Sequence, residues 1–150
     1  MRQLLRGFFE LATEAKKKGD TPVGSLIANE YGKILSEASE RNRSEDLFAH
    51  AEILVVREAV KRVQSKDLNG FSLFTTNEPC LLCSYAIRQT GVSKVIYANE
   101  TPNIGGATSK YSILTANDIQ NCGKPPQVFQ YKASLLRIPK KSKMPFESSM

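Results

Sequence analysis

Two short segments far apart in the chain, His50-Ala51-Glu52 and Pro79-Cys80-Leu81-Leu82-Cys83, constrain the fold more than any other feature. The first offers an imidazole and a carboxylate two positions apart. The second offers two thiols one helical turn apart, after a proline suited to a helix start. One His and two Cys make three protein ligands for Zn²⁺, and three is the number that leaves a fourth position open in a catalytic site. A structural zinc site would ordinarily add a fourth Cys or His, but the chain has no other His, and Cys122 sits in an unrelated loop. A fold that satisfies both segments must bring residues 50 and 80–83 to one point.

The pattern between them predicts how this is done. Leu4, Leu5, Phe8, Leu11, Ala12 and Ala15 recur at spacings of three and four, predicting an amphipathic helix from Arg2 to Lys18 that Gly19 ends. Val23–Ala28 and Lys33–Ala38 read as an antiparallel hairpin, followed by a polar loop from Glu40 to Asp46. A helix is expected over Ala49–Gln64, with Ile53, Val56, Val60 and Val63 on one stripe, then a strand over Phe71–Thr76. Pro79 is expected to open a third helix that Gly91 closes, and Val92–Ala98 reads as a strand. Further expectations are a weak helix over Tyr111–Ile119, a last strand over Gln127–Tyr131, and a turn or two of helix over Lys132–Arg137. Strands alternating with helices imply right-handed crossovers and a mixed sheet. The expected fold is an α/β class, three-layer α/β/α sandwich around a five-stranded mixed sheet.

With 150 residues, 41% of them hydrophobic and 24% charged, the chain fits one globular domain. We read residues 1–138 as that domain and 139–150 as a basic, mobile C-terminal tail. No apolar run approaches membrane-spanning length. Arg6 and Glu10 break the apolar start and no small-residue cleavage site follows, so a signal peptide is not expected. Three cysteines, two of them committed to metal, exclude a disulfide framework and fit a reducing, cytoplasmic compartment. Cys122 reads as a spectator thiol. The net charge of +6, with lysines at 16–18 and at 140, 141 and 143, reads first as a solvated surface and is also compatible with an RNA partner or an anionic substrate.

On this reading each half of the motif falls at a helix N-terminus, where unbonded backbone N–H groups favour thiolates and carboxylates. Glu52 is expected to stay off the metal and to act as base and acid in one turnover. His-Ala-Glu followed by Pro-Cys-x-x-Cys resembles the zinc-dependent cytidine/deoxycytidylate deaminase superfamily. Thr21-Pro22-Val23-Gly24, Thr76-Asn77-Glu78-Pro79-Cys80 and Gly91-Val92-Ser93-Lys94-Val95-Ile96-Tyr97 resemble the branch holding tRNA adenosine deaminases and guanine deaminases.

The resemblance implies metal ligation by His50, Cys80 and Cys83, proton transfer by Glu52, and substrate contacts from Asn42 and Ala51. Phe48 stands where tRNA adenosine deaminases usually carry a small Thr, and it is expected to pack in the core, with stacking on a base as the other reading. Tyr97 and Tyr111 are expected to pack in the sheet and a loop. The segment Thr101–Lys110 and the C-terminus also depart from the tRNA enzymes' pattern. The main expectation is therefore a zinc hydrolase that deaminates a free nucleobase or nucleoside. One alternative is tRNA adenosine-to-inosine deamination, and another is a zinc-stabilised binding protein without catalysis. A homodimer is expected by analogy with relatives.

Overall fold

Helix α1 (Arg2–Lys17) buries Leu4, Ala12 and Ala15 on one face, as their spacing requires. The structure, a computed structural model, describes residues 2–20, 23–40 and 46–132. Gly19 takes φ +83°, and Asp20 N–H bonds back to Ala15 O while Gly19 N–H bonds to Lys16 O. That pair of bonds is the Schellman closure that the glycine makes accessible. Near the other end of α1, Gly7 lets the helix lie close on the sheet, since a β-carbon there would meet Leu26 Cδ2 at 3.1 Å.

Strands β1 (Gly24–Ala28) and β2 (Ile34–Ser39) form the expected hairpin. Its turn is set by Asn29, whose Oδ1 accepts from the amides of Tyr31 and Lys33. Helix α2 (Ala51–Val63), strand β3 (Ser72–Asn77), helix α3 (Leu81–Thr90), strand β4 (Lys94–Asn99) and strand β5 (Gln127–Gln130) follow. The sheet order is β2-β1-β3-β4-β5, with β1 antiparallel to both neighbours and β3, β4 and β5 parallel. The crossover through α2 thus steps over β1 instead of joining adjacent strands.

Alternation along the strands sorts their side chains into two cores. Leu26, Ala28, Phe74 and Ala98 pack with Leu4 and Tyr131 on the α1 side. Ile27, Leu73 and Val95 pack with Val55, Val56, Ala59 and Ile87 on the side of α2 and α3. The five-stranded mixed sheet between helical layers is the expected sandwich. No helix among the described residues is long and apolar enough to cross a membrane.

Three expectations need correction. Residues Tyr111–Ile119 form turns, not a helix, because Arg88 takes the carbonyls of Ile113 and Ala116 and Ser112 sits at φ +42°. The buried stripe of α2 is Ala51, Glu52, Val55, Val56 and Ala59, whereas Ile53, Val60 and Val63 are only partly covered. Helix α3 begins at Leu81, with Cys80 as its N-cap and Pro79 still outside it. Asn42, the helix expected over Lys132–Arg137 and the tail at 139–150 lie outside the described residues.

Candidate metal centre and its neighbouring carboxylate

His50 is the N-cap of α2, in an extended conformation at φ −65° and ψ 143°, not a residue of its first turn. Cys80 holds the same place on α3, at φ −71° and ψ −179°. Cys83 lies one turn into α3 and Glu52 in the first turn of α2. Both helices therefore present their N-terminal backbone dipoles to one point beyond the C-terminal end of β3.

At that point the ligand atoms of His50, Cys80 and Cys83 all lie within 4.8 Å of one another. Cys80 Sγ is 3.7 Å from His50 Nδ1 and 3.6 Å from Cys83 Sγ. Around a tetrahedral Zn²⁺, the S···S and S···N edges come to about 3.8 and about 3.5 Å for ordinary bond lengths. The three side chains are thus placed to hold a metal ion of this kind. Their chemistry agrees. Cys80 is lowered to about 4, first by the hydrogen bond from Cys83 and in part by His50, against burial that raises it. Cys83 is pushed up, first by Cys80 and then by its burial. The two sulfurs thus share one proton, and a divalent metal would displace it and hold both as thiolates.

Glu52 is buried at 4% exposure. Its Oε2 lies 3.7 Å from Cys83 Sγ, and its Oε1 accepts from Thr75 Oγ1 at 2.7 Å. Burial pushes the Glu52 carboxyl up, and the Thr75 hydrogen bond partly opposes it. A carboxyl raised in this way is a better proton acceptor than an ordinary exposed one. Ala51, expected as a substrate contact, is the fully buried first residue of α2 between His50 and Glu52.

A second buried carboxylate, Glu78, was not legible in the sequence as part of the site. Its Oε2 accepts from the amides of Ala107 and Thr108, both at 2.7 Å. Its Oε1 accepts from Thr101 N–H at 3.1 Å and from Thr108 Oγ1 at 2.6 Å. These bonds wrap the 101–108 loop over the start of α3, where Gly105 pairs with Cys80 and Gly106 N–H bonds to Pro79 O at 2.8 Å. Only the conjunction of Glu78 with the following Pro-Cys hinted at this. Phe48 departs from expectation as well. It is 61% exposed, beside Leu47 at 71%, because the chain turns outward on an Asp46 side-chain bond to the Phe48 amide. Tyr97 is buried in the sheet as expected, but Tyr111 is exposed, with Lys110 Nζ 5.1 Å from its ring centre.

Residues 1–99 match the family of the cytidine and deoxycytidylate deaminase zinc-binding region. The chain belongs to this deaminase family. The family is zinc-binding, in keeping with the His50, Cys80 and Cys83 geometry. Among relatives of the deaminase, a tRNA-specific adenosine deaminase of Aquifex aeolicus is 40% identical over 104 residues, spanning 69% of this chain and 68% of that protein. A tRNA-specific adenosine deaminase of Streptococcus pyogenes is 34% identical over 105 residues, spanning 69% of this chain and 65% of that protein. A solved structure from work on A-to-I editing by tRNA:A34 deaminases superposes with TM-score 0.77 at 25% identity, covering 87% of this chain and 98% of that one. The guanine deaminase of Bacillus subtilis superposes with TM-score 0.62 at 33% identity, covering 66% of this chain and 64% of that one.

Proposed function

We propose that this chain is a zinc-dependent hydrolytic deaminase that converts adenosine in transfer RNA to inosine. The observation that carries the deaminase chemistry is the meeting of His50, Cys80 and Cys83 beside the Glu52 carboxylate. His50, Cys80 and Cys83 would hold the zinc, which would supply Lewis acidity there. Glu52 Oε2 takes up one proton of the incoming water as its oxygen bonds to the carbon bearing the amine, and returns that proton to the exocyclic nitrogen, which leaves as ammonia when the C–N bond breaks. Oε1 stays on Thr75 throughout.

For the substrate, the sequence favours a free base or nucleoside, whereas the relatives favour RNA. Two named tRNA-specific adenosine deaminases share more identity with this chain than the guanine deaminase does, and the tRNA:A34 deaminase structure superposes over more of it. The surface near the site supports the same choice. Phe48 is exposed two residues before His50, and exposed Ile104 adjoins the Gly105–Cys80 pairing. An exposed Phe48 ring within a chain of net charge +6 suits stacking on an unpaired base of a polyanion. Cytoplasmic location and a homodimer belong to the same proposal. Within it, residues 1–138 form the catalytic domain and 139–150 a basic extension.

The second reading, a free-base deaminase, draws on the 33% identity with guanine deaminase. One experiment separates them. Zinc-loaded protein is incubated with an anticodon stem–loop carrying adenosine at its first anticodon position, and in parallel with guanine, adenine, cytosine and their nucleosides. Inosine in the stem–loop, with the free compounds untouched, is the expected result. Ammonia from a free base with an unchanged stem–loop would overturn the RNA reading and leave the deaminase chemistry standing.

A further inference from the structure

The sheet face beneath α2 is largely apolar, and among its few buried hydroxyls two are bonded to each other. Ser25 of β1 and Thr75 of β3 are register partners across the antiparallel pair, and both are completely buried. Ser25 Oγ donates to Thr75 Oγ1 at 2.8 Å, and Thr75 Oγ1 donates to Glu52 Oε1 at 2.7 Å. A Thr hydroxyl has one proton, and a carboxylate can only accept. Thr75 must therefore spend its proton on Glu52, and the Ser25 proton falls to Thr75. The two bonds run in series from Ser25 through Thr75 to the carboxylate.

An alanine and a valine would fill nearly the same space with no polar atom to satisfy, so the sheet's packing does not explain the pair. Its effect is on Glu52. Oε1 is held toward the sheet, while Oε2 lies on the side of Cys83. A carboxylate beside a divalent cation is drawn to it, and a fourth protein ligand would close the site. A fixed hydrogen bond on the far oxygen opposes that movement.

We propose that Ser25 and Thr75 form a positioning pair that anchors Glu52 Oε1 to the sheet, so that Oε2 alone handles the proton and the carboxylate stays out of the metal's open position. The pair touches neither substrate nor metal and acts through Glu52. This inference rests on the proposed catalytic role of Glu52.

The test uses Thr75→Val, Thr75→Ala and Thr75→Ser in the full chain, with Glu52→Gln and the Glu52→Gln/Thr75→Val double variant. Turnover of the adenosine stem–loop by zinc-loaded Thr75→Val is expected to fall at least about tenfold in kcat with KM within about twofold, a loss typical of misplacing a catalytic group. Thr75→Ser, which keeps the hydroxyl, is expected to stay within about threefold of the parent for the same reason. Thr75→Ala gives the same loss as Thr75→Val and replaces it in the comparison where valine prevents folding.

A second readout needs no substrate. In the cobalt-substituted protein, the visible ligand-field bands are expected to shift in Thr75→Val as the released carboxylate joins the metal. They return to the parental spectrum in the double variant, which has no carboxylate to release. Parental kcat, or a parental cobalt spectrum, in both Thr75→Val and Thr75→Ala would overturn the positioning role. Full activity in Glu52→Gln is a separate result and would overturn the proposed role of Glu52 itself.

Discussion

Gly105 lies directly against the carboxylate of Glu78: a β-carbon at Gly105 would come within 2.3 Å of Glu78 Oε2. The contact matters because Glu78 stands two residues before Cys80, and Gly105 is the residue paired with Cys80. Loop and metal ligand are therefore set by the same buried carboxylate.

Gly105→Ala must push that carboxylate off at least part of its four donors. We expect a loss of about 1–3 kcal/mol in urea unfolding of the zinc-loaded protein, the usual cost of overpacking a closed site. Zinc affinity is expected to fall with it, measured by competition with a chromophoric chelator. Unchanged values for both would remove the loop from the support of Cys80.

Arg88 is buried in α3 and donates to the carbonyls of Gly123, Ile113 and Ala116. It organises a segment that has no regular secondary structure of its own. Arg88→Met keeps much of the volume but removes every donor, and is expected to cost about 2–4 kcal/mol by leaving buried carbonyls unsatisfied. Hydrogen exchange at residues 113–123 would rise more than at the sheet.

Metal removal should be felt as lost stability, because the ion would tie together three ligands carried by two separate helix starts. At zinc a hundredfold above its Kd, binding contributes about 2.7 kcal/mol, or about 5–11 °C in Tm for a domain of this size. Calorimetry with and without chelator reads the difference. An equal Tm in both conditions would show that these residues hold no metal in solution.

Phe48 is exposed beside the site, so its removal is expected to spare the fold. Phe48→Ala should leave Tm unchanged and raise KM for the stem–loop about tenfold, in the range of one lost base-stacking contact. A fall in Tm with unaltered KM would return Phe48 to a packing role.

Regular elements were legible because their signals are local. Leu4, Ala12 and Ala15 at helical spacing with Gly19 behind them gave α1, and Asn29 with Gly32 gave the hairpin turn. The metal cluster was legible as well, since its one His and two Cys are scarce residue types and the two Cys sit one turn apart. What escaped were buried polar groups whose partners lie far along the chain. Glu52 turns toward Thr75, so it takes a place on the buried stripe of α2 that apolar periodicity had given to Ile53. Arg88 captures the carbonyls that a helix over Tyr111–Ile119 would have used. Ser25, Thr75 and Glu78 look in sequence like any other polar residues. Only the register of β1 on β3, and the return of the 101–108 loop, shows what they bond.

The central claim is that Glu52 carries the proton beside a zinc held by His50, Cys80 and Cys83. Its most direct test is turnover by Glu52→Gln protein shown by elemental analysis to hold one zinc per chain, with inosine in the stem–loop and ammonia from free bases both read. The account predicts intact zinc content and a loss of turnover of about 10²–10⁴-fold against the parent, the range for removing a general acid–base. Parental turnover by the zinc-replete Glu52→Gln protein would contradict it.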